Sequence, residues 1–382
     1  MIKIALIGGG ATNLFLAALL SKENVQVDIF EIRDRVGKKI LETGNGKCNF
    51  TNLNIKEIDY NNESFVKNII NKDILNTFKE FGLIYYSDNE GRCYPHSDAS
   101  NTILDLLRSK YINNPNFNEY VNTSISSIEK INNKYKLSFN NESKVYDSVV
   151  IGIGSKVNNK LFTKLNLNLK IIDYAPSLCP LNINIKSLKG IRVKCIASLL
   201  DSNKEIYSEK GEIIFKENGI SGISIFNISF YLNKYKINNP ILSLDLFPNY
   251  SKEDLLKLFI NKIDQDPQTF FIGLTNKMIG QYLIKKLNLT NKVSKKDLDK
   301  IINELKNLSF KIEGLLDNPQ VAKGGISIDE INDNLELKKY KNIYVGGEWI
   351  DIEGKCGGYN LHFAFSCAIH IYQELINKLC TK

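Results

Sequence analysis

The chain has 382 residues, enough for two or three domains, and its 43% hydrophobic and 24% charged residues are the balance of a soluble globular protein. A net charge of +8 and a pI of about 8.8 suit a polyanionic partner such as a nucleic acid, although Lys, Asn and Ile recur along the whole chain and a genome-wide bias would give the same balance. Seven cysteines, an odd number with no Cys-x-x-Cys pair, argue against a disulfide framework and fit a reducing cytoplasm; three histidines (His96, His362, His370) argue against a metal site.

The chain opens on a short apolar run, Ile4 to Ile7, that ends in Gly8-Gly9-Gly10. A helical run from Leu14 to Leu20 follows, then a second strand, Val25 to Phe30, ending on Glu31. Strand, tight turn, helix, strand and acid, with the acid roughly 20 residues on, is the order of a dinucleotide-binding βαβ unit. Gly8 permits the turn, and Gly10 lets backbone approach a pyrophosphate seated on the helix N-terminus beside Ala11. Glu31 is placed to accept from a ribose hydroxyl. The third glycine of the fingerprint is Asn13, which is expected to loosen nucleotide binding. The alternative is an ordinary βα turn. The glycines and Asn13 also interrupt the run from Ile4 to Leu20, so it reads neither as a signal peptide nor as a membrane span, and no later window is apolar enough to cross a bilayer.

Basic residues in Ile32–Lys39 lie where a nucleotide could be met, or form a solvated loop. Thr43-Gly44-Asn45-Gly46-Lys47-Cys48-Asn49 is too polar for core, and its backbone can press against a flat ligand. Cys48 is either a packed thiol or one beside a reactive centre. Residues 56–86 read as helical. Asn89 to Pro95 reads as a turn exposing Arg92, and Ser97–Ser100 as a cap for a helix over Asn101–Lys110. Ser124–Leu137 and Val145–Ile153 read as strands, the second a parallel one buried on both faces and followed by a short loop, Gly154 to Asn159.

Near Ala175–Pro180 the character changes. Runs at Ile191–Leu199, Glu212–Phe215, Ile223–Ile228 and Ile241–Leu246 predict an inserted, mostly β module. Ser251 to Leu308 is helical and rich in lysine (Lys277, Lys285, Lys286, Lys292, Lys295, Lys296, Lys300), either as solvated helix faces or as a surface for a polyanion. Strand character then returns at Gln320–Ile326 and Asn342–Val345, followed by Gly347, Glu348, Asp351 and a second glycine-to-helix junction, Gly357-Gly358-Tyr359-Asn360-Leu361. The helix N-terminus there offers N–H groups and partial positive charge, as a reduced, anionic isoalloxazine edge requires.

These motifs together (GGGA, TGNGKCNFTN, EGRCYPHSDAS, GGIS and VGGEWIDIEGKCGGYNLHFAFS, in this order) resemble the BaiN/RdsA (YhiN-like) flavoproteins, also described as aminoacetone-oxidase-type FAD enzymes. The resemblance spans nearly the whole chain. It implies an α/β, Rossmann-like FAD-binding domain of the two-dinucleotide-binding type, interrupted by a β-barrel-like module and a helical module. The corresponding boundaries are 1–172 and 319–382 for the FAD domain, 173–250 for the β module and 251–318 for the helical one. By position it implies that Gly8, Gly10, Ala11 and Glu31 hold the ADP half. Lys39 and Gly44, Asn45, Gly46, Lys47, Cys48 and Asn49 line the flavin. Gly347, Glu348 and Asp351 meet the ribityl–pyrophosphate region, and Gly358, Tyr359, Asn360 and Leu361 set the last helix against the pyrimidine edge. No second GxGxxG unit exists, so NADH or NADPH, as electron donor, would dock only transiently.

Departures from the family pattern are Asn13, the short segment after Gly154, Ile223 in place of a proline and Ala322 in place of a threonine. Family activities divide between dihydrouridine synthesis on 23S rRNA and reduction of steroid enones. Both deliver flavin hydride to an activated C=C bond while an acid protonates the other carbon. Cys48 is the first candidate for that acid and Cys356 the second. The expectation is a cytoplasmic FAD-dependent oxidoreductase acting on a uridine of ribosomal RNA, contacted through the Lys-rich insert, with no metal and no membrane partner. The alternatives are a small-molecule flavin reductase or oxidase, and a non-catalytic flavin-containing RNA-binding factor.

Overall fold

A computed structural model describes residues 1–71, 73–154, 165, 167–317 and 319–380. The loop expected at Gly154 to Asn159 therefore lies, beyond Gly154, outside the described residues. The chain divides into two compact units, Met1–Ala175 with Ala322–Lys382, and Pro176–Val321.

The first unit is built on a six-stranded sheet. Its order is Glu336–Leu337, Tyr340–Val345, Ser148–Ile151, Ile2–Ile7, Val25–Phe30, Phe117–Tyr120, and every neighbouring pair is parallel except the first. The central strands are almost continuously apolar, and Ile4–Leu6, Val149–Ile151 and Ile343–Val345 are at most 1% exposed, as strands covered on both faces must be. From Ile2–Ile7 the chain crosses through the helix Ala11–Leu20 to Val25–Phe30 on one side, while Ser148–Ile151 pairs on the other. The carboxyl ends of these two central strands thus form the switch point, where ligands of open α/β sheets bind.

The helix Ala11–Leu20 is buried at every position from Thr12 to Leu20, because it lies between the sheet and the C-terminal helix Tyr359–Cys380. Phe15 locks this layer, with ring centroids 5.0 Å from Phe78, 5.6 Å from Phe81 and 4.9 Å from Phe365. A three-stranded meander, Ile125–Ile131, Lys134–Phe139 and Glu142–Tyr146, packs Phe139 against Phe30 at 4.8 Å. A small antiparallel sheet of Thr51–Asn52, Arg92–Pro95 and Tyr85–Ser87 completes the unit.

Local readings differ in several places. Residues 56–86 hold two short helices, Glu63–Ile69 and Ile74–Phe81, before the strand at Tyr85. Arg92 is not an exposed turn residue. It starts a strand, its side chain is 17% exposed, and it pairs with Asp88 (2.7 Å) and Glu90 (2.9 Å). The helix Ser100–Ser109 has Ala99 at its N-cap, and the Ser100 hydroxyl donates instead to the Leu41 carbonyl.

The second unit is a seven-stranded antiparallel sheet ordered Leu308–Lys311, Pro240–Asp245, Arg192–Asp201, Lys204–Lys216, Gly219–Ser221, Leu181–Asn182, Gly314–Leu315. Its two outermost members are consecutive in the chain, separated only by Ile312 and Glu313. One bent strand therefore pairs with both edges and closes the sheet into a barrel. Ile223–Ile228, read as a strand, is the start of the helix Ile223–Tyr235. Its buried Ile225, Ile228 and Tyr231 recur at helical spacing, a pattern that a six-residue window cannot separate from a strand. The segment between Asp245 and Leu308 contains the helices Lys252–Phe259, Pro267–Phe270, Lys277–Lys286 and Lys295–Lys306, two of them begun by Ser–Asp capping boxes.

Because Phe15 touches three other rings in a fully buried layer, Phe15→Ala is expected to lower unfolding free energy by about 3–5 kcal/mol, measured by urea titration. A loss below about 1 kcal/mol would show that the layer collapses around the cavity.

Candidate functional site: a glycine-lined nucleotide cleft

At the switch point the backbone of two turns is in contact. Gly8 has φ +96°, and a Cβ there would lie 2.6 Å from the Gly152 carbonyl oxygen, so no side chain fits. Gly10 is the helix N-cap, extended and without a side-chain cap. The N–H groups of the first helical turn have no intrahelical acceptor, which suits an anion. The third turn of the sheet edge comes to the same place: Thr12 Oγ1 is 2.7 Å from where Gly347 would carry a Cβ. Glu31 accepts from the Gly9 N–H (2.7 Å) and the Arg33 N–H (2.9 Å), which fixes its carboxylate beside the glycine turn. Lys39 pairs with Glu348, 309 positions away, and its ammonium sits 3.6 Å from the space a Cβ on Gly154 would fill.

Asn13 is fully buried, and its Nδ2 donates to the carbonyls of Ile7 (2.9 Å) and Gly8 (2.8 Å). Its Oδ1 lies 3.0 Å from where Gly152 would place a Cβ. The helix thus accommodates an asparagine at this point because the opposite residue is glycine. Two hydrogen bonds tie the glycine turn from behind, while the Asn13 Oδ1 is buried with no hydrogen-bond partner among the described residues.

Thr43–Gly46 forms one 3₁₀ turn, leading to Lys47, which pairs with Asp98 at 3.0 Å. Cys48 follows with φ +58° and no exposure, and burial pushes its thiol up to about 11 despite a hydrogen bond from Thr43. The loop then meets the C-terminal helix. Gly358 has φ +97°, and a Cβ there would lie 2.5 Å from the Thr51 carbonyl and 2.8 Å from Asn49 Oδ1, a buried oxygen with no hydrogen-bond partner among the described residues.

The side chains at the start of that helix are engaged within the unit. The Tyr359 hydroxyl donates to the Asn54 carbonyl at 3.1 Å, and Asn360 clamps Gly354, accepting from its N–H at 2.9 Å and donating to its carbonyl at 3.0 Å. What the helix can still offer a cofactor at this end is backbone N–H and dipole. Leu361 is half-buried. The Asp351 carboxylate accepts from the Gly324 N–H at 3.0 Å, and burial raises its pKa. Cys356 is half-buried, in contrast to Cys48.

Sequence reasoning passed over four residues here. Thr12 touches the Gly347 turn, and His362 Nδ1 is 2.7 Å from Thr51 Oγ1. Tyr86 and Tyr94 stack beside the Gly44 loop, and their signal was the alternation across Arg92–Pro95. Among the described residues no group of His, Cys, Asp and Glu could hold a metal, and no helix is long and apolar enough to cross a membrane. A surface hollow of about 420 Å³ lined by Ile128, Glu129, Lys130, Tyr135, Leu167 and Tyr340 contains none of these site residues.

At this sheet edge lie closely packed glycine turns, an uncapped helix start, an acid beside the turn and a buried Asn49 oxygen without a hydrogen-bond partner among the described residues. Such a sheet edge defines a Rossmann-like FAD-binding domain. The HI0933-like protein Rossmann domain model matches residues 2–373, and the chain belongs to that family of FAD-dependent oxidoreductases. A 3-dehydro-bile acid delta(4,6)-reductase of Clostridium scindens is 27% identical over 96% of this chain and 97% of that protein. A ribosomal RNA dihydrouridine synthase of Haemophilus influenzae is 25% identical over 97% of this chain and 98% of that protein. Among solved structures, E. coli quinol fumarate reductase FrdA aligns at 11% identity with a TM-score of 0.45, covering 100% of this chain and 70% of that one.

Asn13→Gly removes both donors to the turn. It is expected to lower stability by about 1–3 kcal/mol and to speed FAD loss on dialysis, followed by absorbance. Equal FAD retention would show that the tie does not act on the cofactor. Burial also holds the His362 imidazole down to about 4, against 6.5 for an ordinary histidine. Between these values the unfolded chain binds the extra proton, so stability is full above pH 6.5 and falls by about 3 kcal/mol as pH drops to 4. His362→Gln is expected to flatten that slope in urea titrations at pH 7 and pH 4.5.

Proposed function

We propose that this protein is an FAD-dependent reductase of an activated C=C bond, and that its substrate is the C5=C6 bond of a uridine in 23S rRNA, with NADH or NADPH as electron donor. The observation that carries the cofactor is the glycine-cleared switch point, with Asn13 and Glu31 fixing its turn. FAD, when bound, supplies two-electron chemistry to the substrate bond. The chain's residues divide the remaining work. Gly8, Gly10, Ala11 and Glu31 take the adenosine and pyrophosphate side. Lys39, Glu348 and Gly347 close over the middle, and the loop Gly44–Asn49 with Gly358 and the helix start at Tyr359–Leu361 borders the ring system. Asp351 supports this edge through Gly324.

The proton for the second carbon comes from Cys356, which is half-buried, rather than from Cys48, which is fully buried and whose thiol burial pushes up to about 11. An RNA substrate is supported by charge placement. Residues 176–321 hold 21 Lys and Arg against 15 Asp and Glu, so +6 of the chain's +8 lies there. Lys277, Lys285, Lys292, Lys295 and Lys296 are exposed, while Lys286 pairs with Glu304 and Lys306 with Asp245. The bile acid reductase relative favours a second reading, reduction of a cyclic enone without RNA.

Mass spectrometry of 23S rRNA from a strain lacking the gene decides between them. Loss of one dihydrouridine is expected, and restoration by the wild-type gene but not by a Cys356→Ala version. Unchanged dihydrouridine, together with enone-dependent NAD(P)H oxidation by the pure protein, would replace the first reading with the second.

A further inference from the structure

The small sheet Thr51–Asn52, Arg92–Pro95, Tyr85–Ser87 presents one face that the flavin reading does not use. Its registers pair Asn52 with Arg92 and Tyr86 with Tyr94, and side chains alternate along a strand, so these four share a face while Cys93 points to the core. The rings of Tyr86 and Tyr94 are stacked, with centroids 5.6 Å apart and 25° between planes. Both rings are half-buried. Tyr86 is held through its hydroxyl, which donates to Asp98, and Asp98 is held in turn by Lys47.

Two loops border Tyr94. A Cβ on Gly44 would come within 3.9 Å of its ring. On the other side the loop 354–358 is laid on the same sheet face, where Asn52 Nδ2 donates to the Gly357 carbonyl at 3.0 Å and the Arg92 methylenes lie 3.6 Å from where Gly357 would carry a Cβ. Cys356 belongs to that loop, directly before Gly357. Arg92 is already neutralised by Asp88 and Glu90, so the face is not built to take a phosphate. What it offers is a flat, braced aromatic surface beside the loop that carries Cys356.

We propose that Tyr94, braced by Tyr86, is the stacking wall for the substrate ring, and that the ring is a planar α,β-unsaturated carbonyl, presented either as a uracil base in RNA or as a free cyclic enone. This rests on the flavin reading above. The wall holds the ring with one edge at Cys356. In the reduction the carbon β to the carbonyl gains a hydride whose electron pair comes ultimately from NAD(P)H, the α carbon gains the Cys356 proton, and C=C becomes C–C. NAD(P)⁺ is left, and water reprotonates the thiolate. Aromatic stacking of a base is worth about 1–3 kcal/mol, or about 5- to 150-fold in affinity.

The test is equilibrium binding to the oxidised, FAD-loaded protein, read as perturbation of the flavin absorbance, with two probes: a uridine oligoribonucleotide and a 3-keto-4-ene steroid. Tyr94→Leu keeps bulk and removes the aromatic face, and it is expected to weaken whichever probe the wild type binds by at least 5-fold. Tyr94→Phe is expected to stay within 3-fold, with flavin content unchanged in both variants. In turnover KM is expected to rise in Tyr94→Leu and to return to the wild-type value in Tyr94→Phe. Equal affinity in Tyr94→Leu, loss of flavin from it, or no binding of either probe by the wild type would each overturn the stacking wall. The flavin reading fails separately, if the pure wild-type protein carries no FAD or if its flavin is not reduced by NADH or NADPH.

Discussion

Three turns of the first unit's sheet end within van der Waals distance of one another, and nearly everything else about the site follows from that crowding. Gly8 touches the Gly152 turn, and Gly347 touches Thr12 at the start of the first helix. Backbone brought this close leaves room for a ligand only where side chains are absent, and it presents N–H groups in place of side-chain donors. The price of such a site is that its shape depends on each turn keeping an unusual conformation. Asn13, Glu31 and the Lys39–Glu348 pair act as ties on those turns: the last two join segments distant in sequence, and Asn13 donates to the carbonyls of Ile7 and Gly8 at the end of the first strand.

A similar division of labour holds at the C-terminal helix. Tyr359 and Asn360 bind backbone groups of their own surroundings, so the junction is rigid before any cofactor arrives. Rigid backbone with oriented N–H groups stabilises developing negative charge without reorganisation. The two thiols separate on the same principle. Cys48 is fully buried under the loop, and Cys356 is half-buried.

The nucleotide-binding half was legible because its signals are local: an apolar run, glycines, a helix and an acid at fixed spacing. The closing glycine-to-helix junction was legible for the same reason. What the linear pattern could not carry were facts about partners. Nothing in Asn13 itself announces that Gly152 leaves it room, and nothing in Arg92 announces two carboxylates beside it. The strand assigned to Ile223–Ile228 failed because six apolar residues fit either period until the seven that follow are included. Tyr94 was passed over because a turn was read where a strand begins, and alternation has meaning only in a strand.

The barrel closed by a single bent strand bears on how this chain tolerates change. Leu308–Lys311 lies directly beside Pro240–Asp245, with Leu244 opposite Leu308, so the whole helical segment between them leaves and returns at neighbouring rungs of one ladder. To the barrel it is the tip of a hairpin. Its length and surface can drift at little entropic cost, since loop closure grows only logarithmically with length. Its exposed face is the part that can change, since Lys306 with Asp245 and Tyr282 with Phe310 tie the segment to the strands that carry it.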